Sequence, residues 1–254
     1  MIRIQRAPQE PSELTAVRTA ELQRIRRDHP GGPTKREEIG REFVVAKDAL
    51  WRQQHSKCCY CEKTYPQTGH DVEHYRPVSH YWWLAWTWEN LMFSCQNCNR
   101  FAKNAKFPLF EEKTRLIAEQ QPPGMEKAKL LDPTAENPRE HIEFHLDSVR
   151  GQWVARPRNG SIRGGVTIMA LKLNAPDYLD LRLGYIKRMI LPEIERIKRA
   201  MAAKNDEEVK TRWEELTSQL LQPTMEYCAL SHDALDSLIP ETIRRDWGLS
   251  LSLP

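Results

Sequence analysis

The sequence predicts an α+β chain in which a strand, a second strand and a helix close around a metal between helical segments. Three observations predict it. Two Cys-x-x-Cys pairs, Cys58/Cys61 and Cys95/Cys98, enclose 33 residues. Inside them lies a polar motif, Asp71-Val72-Glu73-His74-Tyr75-Arg76-Pro77, and Asn99 follows the last cysteine. Apolar residues at helical spacing flank this segment on both sides.

The bulk properties narrow the class. The chain has 254 residues, 40% hydrophobic and 29% charged, which suits a globular protein rather than a disordered one. No run of about 18 apolar residues occurs, so no membrane span is expected. Met1-Ile2-Arg3-Ile4-Gln5-Arg6 has no apolar core of a secretory signal, so the expected location is the cytoplasm. Thiols stay reduced there, and paired Cys-x-x-Cys spacings favour metal over disulfide. A net charge of +3 allows a nucleic-acid partner without demanding one. Arg24, Arg26 and Arg27 read as a solvated helix face. Arg100, Lys103 and Lys106 follow the cysteines and are better placed to meet phosphate.

The elements follow in order. Residues 12–28 are expected to be helical, with Leu14, Val17, Leu22 and Ile25 inward. His29-Pro30-Gly31-Gly32-Pro33 breaks the chain. Thr34, with Glu37 three residues on, reads as the capping box of a second helix carrying Ile39, Phe43, Ala46 and Leu50. Cys58 to Cys61 is a knuckle turn, His70 to Tyr75 a strand, and Tyr81 to Trp88 a loop or short helix. Leu91 to Ser94 is the second strand and Asn97 to Lys106 the helix. Residues 111–140 are mostly connection. Ile142 to Leu146 and Gln152 to Ala155 suggest a hairpin about Asp147–Gly151. Arg156 to Gly165 reads as a loop. Ile186, Ile190, Ile194, Ile197 and Met201 form one helical stripe, kinked at Pro192. Val209, Trp213, Leu216 and Leu220 form another, and the two are expected to pack together. The expected organisation is a helical arm over 1–55, a core over 56–110, and a hairpin with a helical, partner-binding region over 111–254.

Zinc binds thiolates in tetrahedral sets, and two Cys-x-x-Cys turns supply four. Cys58, Cys61, Cys95 and Cys98 are therefore the expected ligands of a structural Zn²⁺. The sequence leaves open whether Cys59 replaces Cys58. Successive strand residues face opposite sides, so Glu73 and His74 can approach one phosphate only where Arg76-Pro77 ends the strand. Phosphodiester hydrolysis needs an activated water and a divalent cation on the phosphate oxygens. A histidine suits the general base, and a carboxylate with an amide oxygen suits Mg²⁺ or Mn²⁺. Glu73 and Asn99 can provide those oxygens.

These residues resemble the HNH endonuclease family. The resemblance rests on Cys58-Cys59-Tyr60-Cys61-Glu62, Val72-Glu73-His74-Tyr75-Arg76-Pro77, Trp88-Glu89-Asn90-Leu91 and Cys95-Gln96-Asn97-Cys98-Asn99-Arg100, and covers roughly 56–110. It implies a ββα-metal nuclease core. It places His74 at the general base, Glu73 and Asn99 at the catalytic metal, and Asn90 at the asparagine that orients loop and base. Glu stands where Asp or His is frequent, and Asn where the last His of the pattern would be. A narrower resemblance, through Trp83-Leu84-Ala85-Trp86-Thr87-Trp88-Glu89-Asn90-Leu91 and Leu171-Lys172-Leu173-Asn174, is to the PtuB-type HNH proteins of Septu anti-phage systems and some retrons. It implies an ATPase partner of the PtuA type.

The expected function is metal-dependent cleavage of nucleic acid, with DNA favoured over RNA and with Arg76, Arg100 and Lys103 as candidate phosphate contacts. Two alternatives stand beside it: an RNase toxin on the same scaffold, and a zinc-organised binding module without chemistry. Trp82, Trp83, Trp86 and Trp88 are expected to pack the long insert, with base stacking as the rival role.

Overall fold

The computed structural model describes residues 1–7 and 9–252; residues 8, 253 and 254 of the expected terminal segments lie outside it. The chain divides into two compact units, Arg3–Pro138 and Met1–Ile2 with Arg139–Pro254. The boundary therefore falls at Pro138/Arg139. Residues 111–138 pack with the cysteine-bearing segment, because the Tyr75 hydroxyl donates to Leu130 O at 2.6 Å and Trp83 Nε1 to Gln120 O at 2.7 Å.

In the first unit, α1 (Ser12–Asp28) buries Leu14 and Ile25, as its spacing requires. The expected second helix is shorter. Two 3₁₀ turns, Arg36–Glu38 and Glu42–Ala46, precede α2 (Lys47–Gln53). Glu38 rather than Glu37 takes the capping role, accepting from the Thr34 and Lys35 amides. Gly40 interrupts the rest, although Ile39, Phe43, Ala46 and Leu50 are all buried.

Two short antiparallel strands hold the centre. β1 (Asp71–His74) pairs with β2 (Leu91–Ser94) in the register Asp71 to Ser94, Val72 to Phe93, Glu73 to Met92 and His74 to Leu91. The outer edge of β2 is occupied by the buried Gln54 amide, which donates to Phe93 O and accepts from Phe93 N, both at 2.8 Å. Polar backbone at a sheet edge needs such partners. The helix after β2, Asn97–Lys103, is π-type and ends with Asn104 N donating to Asn99 O, five residues back.

Trp83, Trp86 and Trp88 are buried and Trp82 half-buried, so the tryptophans pack the insert. Arg6 reaches this layer from the N-terminal segment. Its guanidinium donates to the carbonyls of Trp88 and Leu91 and lies 4.8 Å from the Trp88 ring centroid.

In the second unit, β3 (Ile142–Asp147) and β4 (Gln152–Pro157) form the expected hairpin. The supposed loop to Gly165 is cut short by α3 (Ile162–Ala170), whose N-cap is Ser161: its hydroxyl accepts from Gly164 N at 3.1 Å. Asn174 pins β4 by a pair of bonds to the Ala155 backbone, at 2.8 and 2.9 Å. Helices α4 (Pro176–Tyr185), α5 (Leu191–Ala202), α6 (Asp206–Leu220), α7 (Cys228–Leu238) and α8 (Glu241–Asp246) complete the unit. A π turn at Ile186–Ile190 precedes Pro192 in the first turn of α5, and α5 packs on α6 through the two expected stripes. Among the described residues no helix is long and apolar enough to cross a membrane.

Candidate active site and zinc centre

The sulfurs of Cys58, Cys61, Cys95 and Cys98 all lie within 4.8 Å of one another and are buried. Cys61 Sγ and Cys95 Sγ are 3.9 Å apart. A tetrahedral ion with Zn–S bonds of about 2.3 Å needs sulfurs about 3.8 Å apart, so the donor set fits zinc. Glu62, directly after Cys61, takes the left-handed conformation with φ 62° and donates its amide to Cys58 O, closing the first knuckle. The second knuckle directs Cys98 N at Cys95 Sγ, 3.5 Å away. Cys59 is outside the cluster: its amide bonds Phe93 O, and burial pushes its thiol above the ordinary range. The cluster contains Cys58 and not Cys59. None of the six cysteines is disulfide-bonded.

The cysteine cluster brings the turn before β1 beside the helix after β2, and the polar motif sits between them. Alternation along β1 sends Asp71 and Glu73 toward the π-type helix and His74 to the other side. Glu73 Oε1 meets Lys103 Nζ at 2.6 Å and the Tyr60 hydroxyl at 3.1 Å. Burial raises the Glu73 carboxyl above its usual range, and Lys103 and Tyr60 oppose that rise. On the other side, His74 Nε2 lies 2.9 Å from Ala85 O, and its ring meets Phe43 edge-on with centroids 4.6 Å apart. A carbonyl only accepts, so Nε2 carries the proton and Nδ1 carries the lone pair. Burial lowers the His74 pKa to about 3, with the Ala85 bond opposing and the charges of Arg36 and Lys103 adding to it. The ring is therefore neutral at physiological pH.

Both residues nevertheless line one cavity, of about 480 Å³, together with Asn99, Arg100 and Arg36. The strand does what its sequence requires, and the two side chains converge at the cavity because β1 ends at His74. Asn90 fixes that end. Its Oδ1 accepts from Arg76 N at 2.7 Å, and its Nδ2 donates to Arg76 O at 3.0 Å and Leu84 O at 3.1 Å.

The expected phosphate contacts separate. Lys103 is fully buried and donates to His74 O at 2.7 Å, so it cannot face phosphate as the sequence suggested. It shares a helix face with Asn99 four residues earlier, and that face is turned inward. Arg76 is mostly buried, paired with Glu126 at 2.8 Å and packed over the Tyr75 and Phe107 rings. Arg100 is exposed and lines the cavity, with its fork on Asp71. Arg24, Arg26 and Arg27 are paired with Glu21, Glu119 and Asp28, which leaves the solvated-face reading intact.

Sequence reasoning missed three residues. Arg36 lines the cavity from a distant turn, and no local pattern marks it. Tyr60 lies inside the first knuckle, where the cysteines draw attention. Asp71 stands two residues before Glu73, hence on the same strand face, and that spacing was a usable signal.

A sequence profile described as HNH endonuclease matches residues 58–104, which span all four cysteines, both strands and the π-type helix. The chain carries an HNH domain. It is also similar to a protein named Septu protein PtuB from Bacillus mycoides (strain KBAB4), 30% identical over 163 residues that cover 59% of this chain and 53% of that one. The chain thus spans about half the length of that relative. The four-cysteine cluster and the cavity fall within this one short segment, and a metal held by four thiolates would add to the stability of so small a unit.

Proposed function

We propose that this chain is a metal-dependent HNH endonuclease that hydrolyses nucleic-acid phosphodiester bonds in the cytoplasm, as the nuclease effector of a Septu-type anti-phage system with an ATPase partner. The observation that carries the catalytic part is the convergence of His74, Glu73 and Asn99 on one cavity. The likeness to Septu protein PtuB supports the defence role and the partner. DNA is the favoured substrate.

The donor set suits a hard divalent cation, because Glu73 offers a carboxylate and Asn99 an amide oxygen on the same cavity wall. Mg²⁺ or Mn²⁺ held there would neutralise charge on the phosphate oxygens. Both described contacts to Glu73 fall on Oε1. Lys103 offsets part of the Glu73 charge, and the substrate phosphate would add oxygens to the site once it binds.

His74 takes the proton of the attacking water at Nδ1. Its desolvated ring is a poor base in the free protein. An incoming phosphate anion raises its proton affinity, as an opposite charge does for any imidazolium. Asn90 holds the loop against which the ring is braced. Arg100 and Arg36, both on the cavity, meet the phosphate backbone.

The test is incubation of the purified chain, with any co-purifying partner retained, with supercoiled plasmid, single-stranded DNA and tRNA, in Mg²⁺ with and without EDTA. Cleavage of plasmid that EDTA abolishes is expected. Cleavage confined to tRNA favours the RNase reading. Binding without cleavage of any substrate contradicts the proposal.

A further inference from the structure

Asp71 has no part in the mechanism above, yet it bonds two residues that line the cavity, Asn99 and Arg100. Its Oδ2 accepts from Asn99 Nδ2 at 3.2 Å and from Arg100 Nε at 2.8 Å, and its Oδ1 from Arg100 Nη2 at 2.5 Å. The side chain is 13% exposed. The two-pronged bond to Arg100 fixes the plane of the carboxylate. β1 fixes its root, through the pairing of Asp71 with Ser94.

An asparagine amide has a donor end and an acceptor end, and only the acceptor end can bind a cation. Asn99 would be free to turn either end to the cavity if nothing held it. A carboxylate only accepts, so the end of Asn99 facing Asp71 is the NH₂. The carbonyl oxygen is thereby turned away from Asp71.

We propose that Asp71 is a positioning residue: it fixes the amide of Asn99 so that Oδ1 is presented to the catalytic divalent cation. The proposal rests on the metal reading of Glu73 and Asn99. Outer partners that orient a metal ligand typically change metal affinity by about 10- to 100-fold when removed.

The test measures Mn²⁺ binding in the absence of nucleic acid, by the loss of the free-ion electron paramagnetic resonance signal. Zinc content and melting temperature are followed as checks of folding. Asp71→Ala removes the acceptor and is expected to weaken Mn²⁺ binding about tenfold. Asp71→Asn keeps an acceptor oxygen without the charge and is expected to bind close to the wild type. Asn99→Ala sets the reference for losing the ligand. Wild-type affinity in Asp71→Ala, with weakened binding in Asn99→Ala, overturns the proposal alone. Equal weakening by Asp71→Ala and Asp71→Asn also overturns it, because charge and not orientation would then be acting. Unchanged binding in Asn99→Ala removes the metal reading itself, and the proposal with it.

Discussion

Asn90 and His74 act on neighbouring peptide groups: Asn90 Nδ2 donates to Leu84 O at 3.1 Å, and His74 Nε2 to the next carbonyl, Ala85 O, at 2.9 Å. The same asparagine bonds both backbone groups of Arg76, two residues after His74. One amide therefore sets the end of β1 and the loop that braces the His74 ring.

Asn90→Ala removes all three bonds and leaves buried backbone groups unpaired, each costing about 1–3 kcal/mol. Cleavage is expected to fall at least as far as stability allows, with zinc content unchanged. Urea titration and zinc assay beside the cleavage rate check this. A variant cleaving at the wild-type rate would show that the loop does not need this clamp.

The zinc assignment separates Cys59 from its neighbours. Cys59→Ser is expected to retain one zinc per chain, since Cys59 lies outside the four-sulfur cluster. Cys58→Ser or Cys98→Ser is expected to lose zinc and unfold the HNH domain, because metal-binding energy is folding energy in such units. Zinc stoichiometry by colorimetric release on thiol modification distinguishes them.

The state of His74 has a consequence for pH. Its folded pKa, about 3, lies below the ordinary value near 6.5. The ring stays neutral as pH falls through the usual histidine range, so its lone pair remains available. The value of kcat/KM, which reports the free protein, is expected to show no histidine-type loss between about pH 8 and about pH 5. A rate falling tenfold per unit below pH 6.5 would place the free His74 in water.

How much of this was legible in the sequence follows from the range of the interactions. The four-cysteine cluster, both strands and the helix after them were readable, because Cys-x-x-Cys spacing and alternation are local rules. The second helix was overextended, because apolar spacing over Ile39 to Leu50 outvoted Gly40. The helix at Ile162 was missed, because Gly160, Gly164 and Gly165 read as loop while Ser161 supplied a cap. Lys103 was misassigned for a different reason. Phe101 and Asn104 beside it are exposed, and only the inward turn of the π-type helix shows that it pairs with Glu73. Arg36 and Arg6 act across long sequence separations, which no local motif records.

The second unit offers a stability test independent of the site. Asp233 on α7 binds Arg139 Nη1 at 2.6 Å and the Phe144 amide of β3 at 2.8 Å. Burial pushes its carboxyl up, but hydrogen bonds from His232 and Arg139, with the Arg139 charge, outweigh that and hold it at about 2. The folded pKa is below the unfolded value of about 3.9, so this contribution is present above about pH 4 and lost as pH falls to about 2. Asp233→Asn at neutral pH is expected to cost about 1–3 kcal/mol, because its charge-assisted bonds with Arg139 and the Phe144 amide are weakened. Urea unfolding of wild type and variant at pH 7 and pH 2.5 measures it, and the difference is expected to shrink at the lower pH.

The central claim is that Nδ1 of His74 removes the proton from the attacking water. The most direct measurement is the single-turnover cleavage rate of His74→Ala, with and without added imidazole, on protein shown to hold its full zinc. General-base catalysis contributes about 10²- to 10⁴-fold. The rate is expected to fall by that much and to recover in part with imidazole, since the vacated cavity admits the ring. Cleavage by His74→Ala at the wild-type rate would contradict the mechanism.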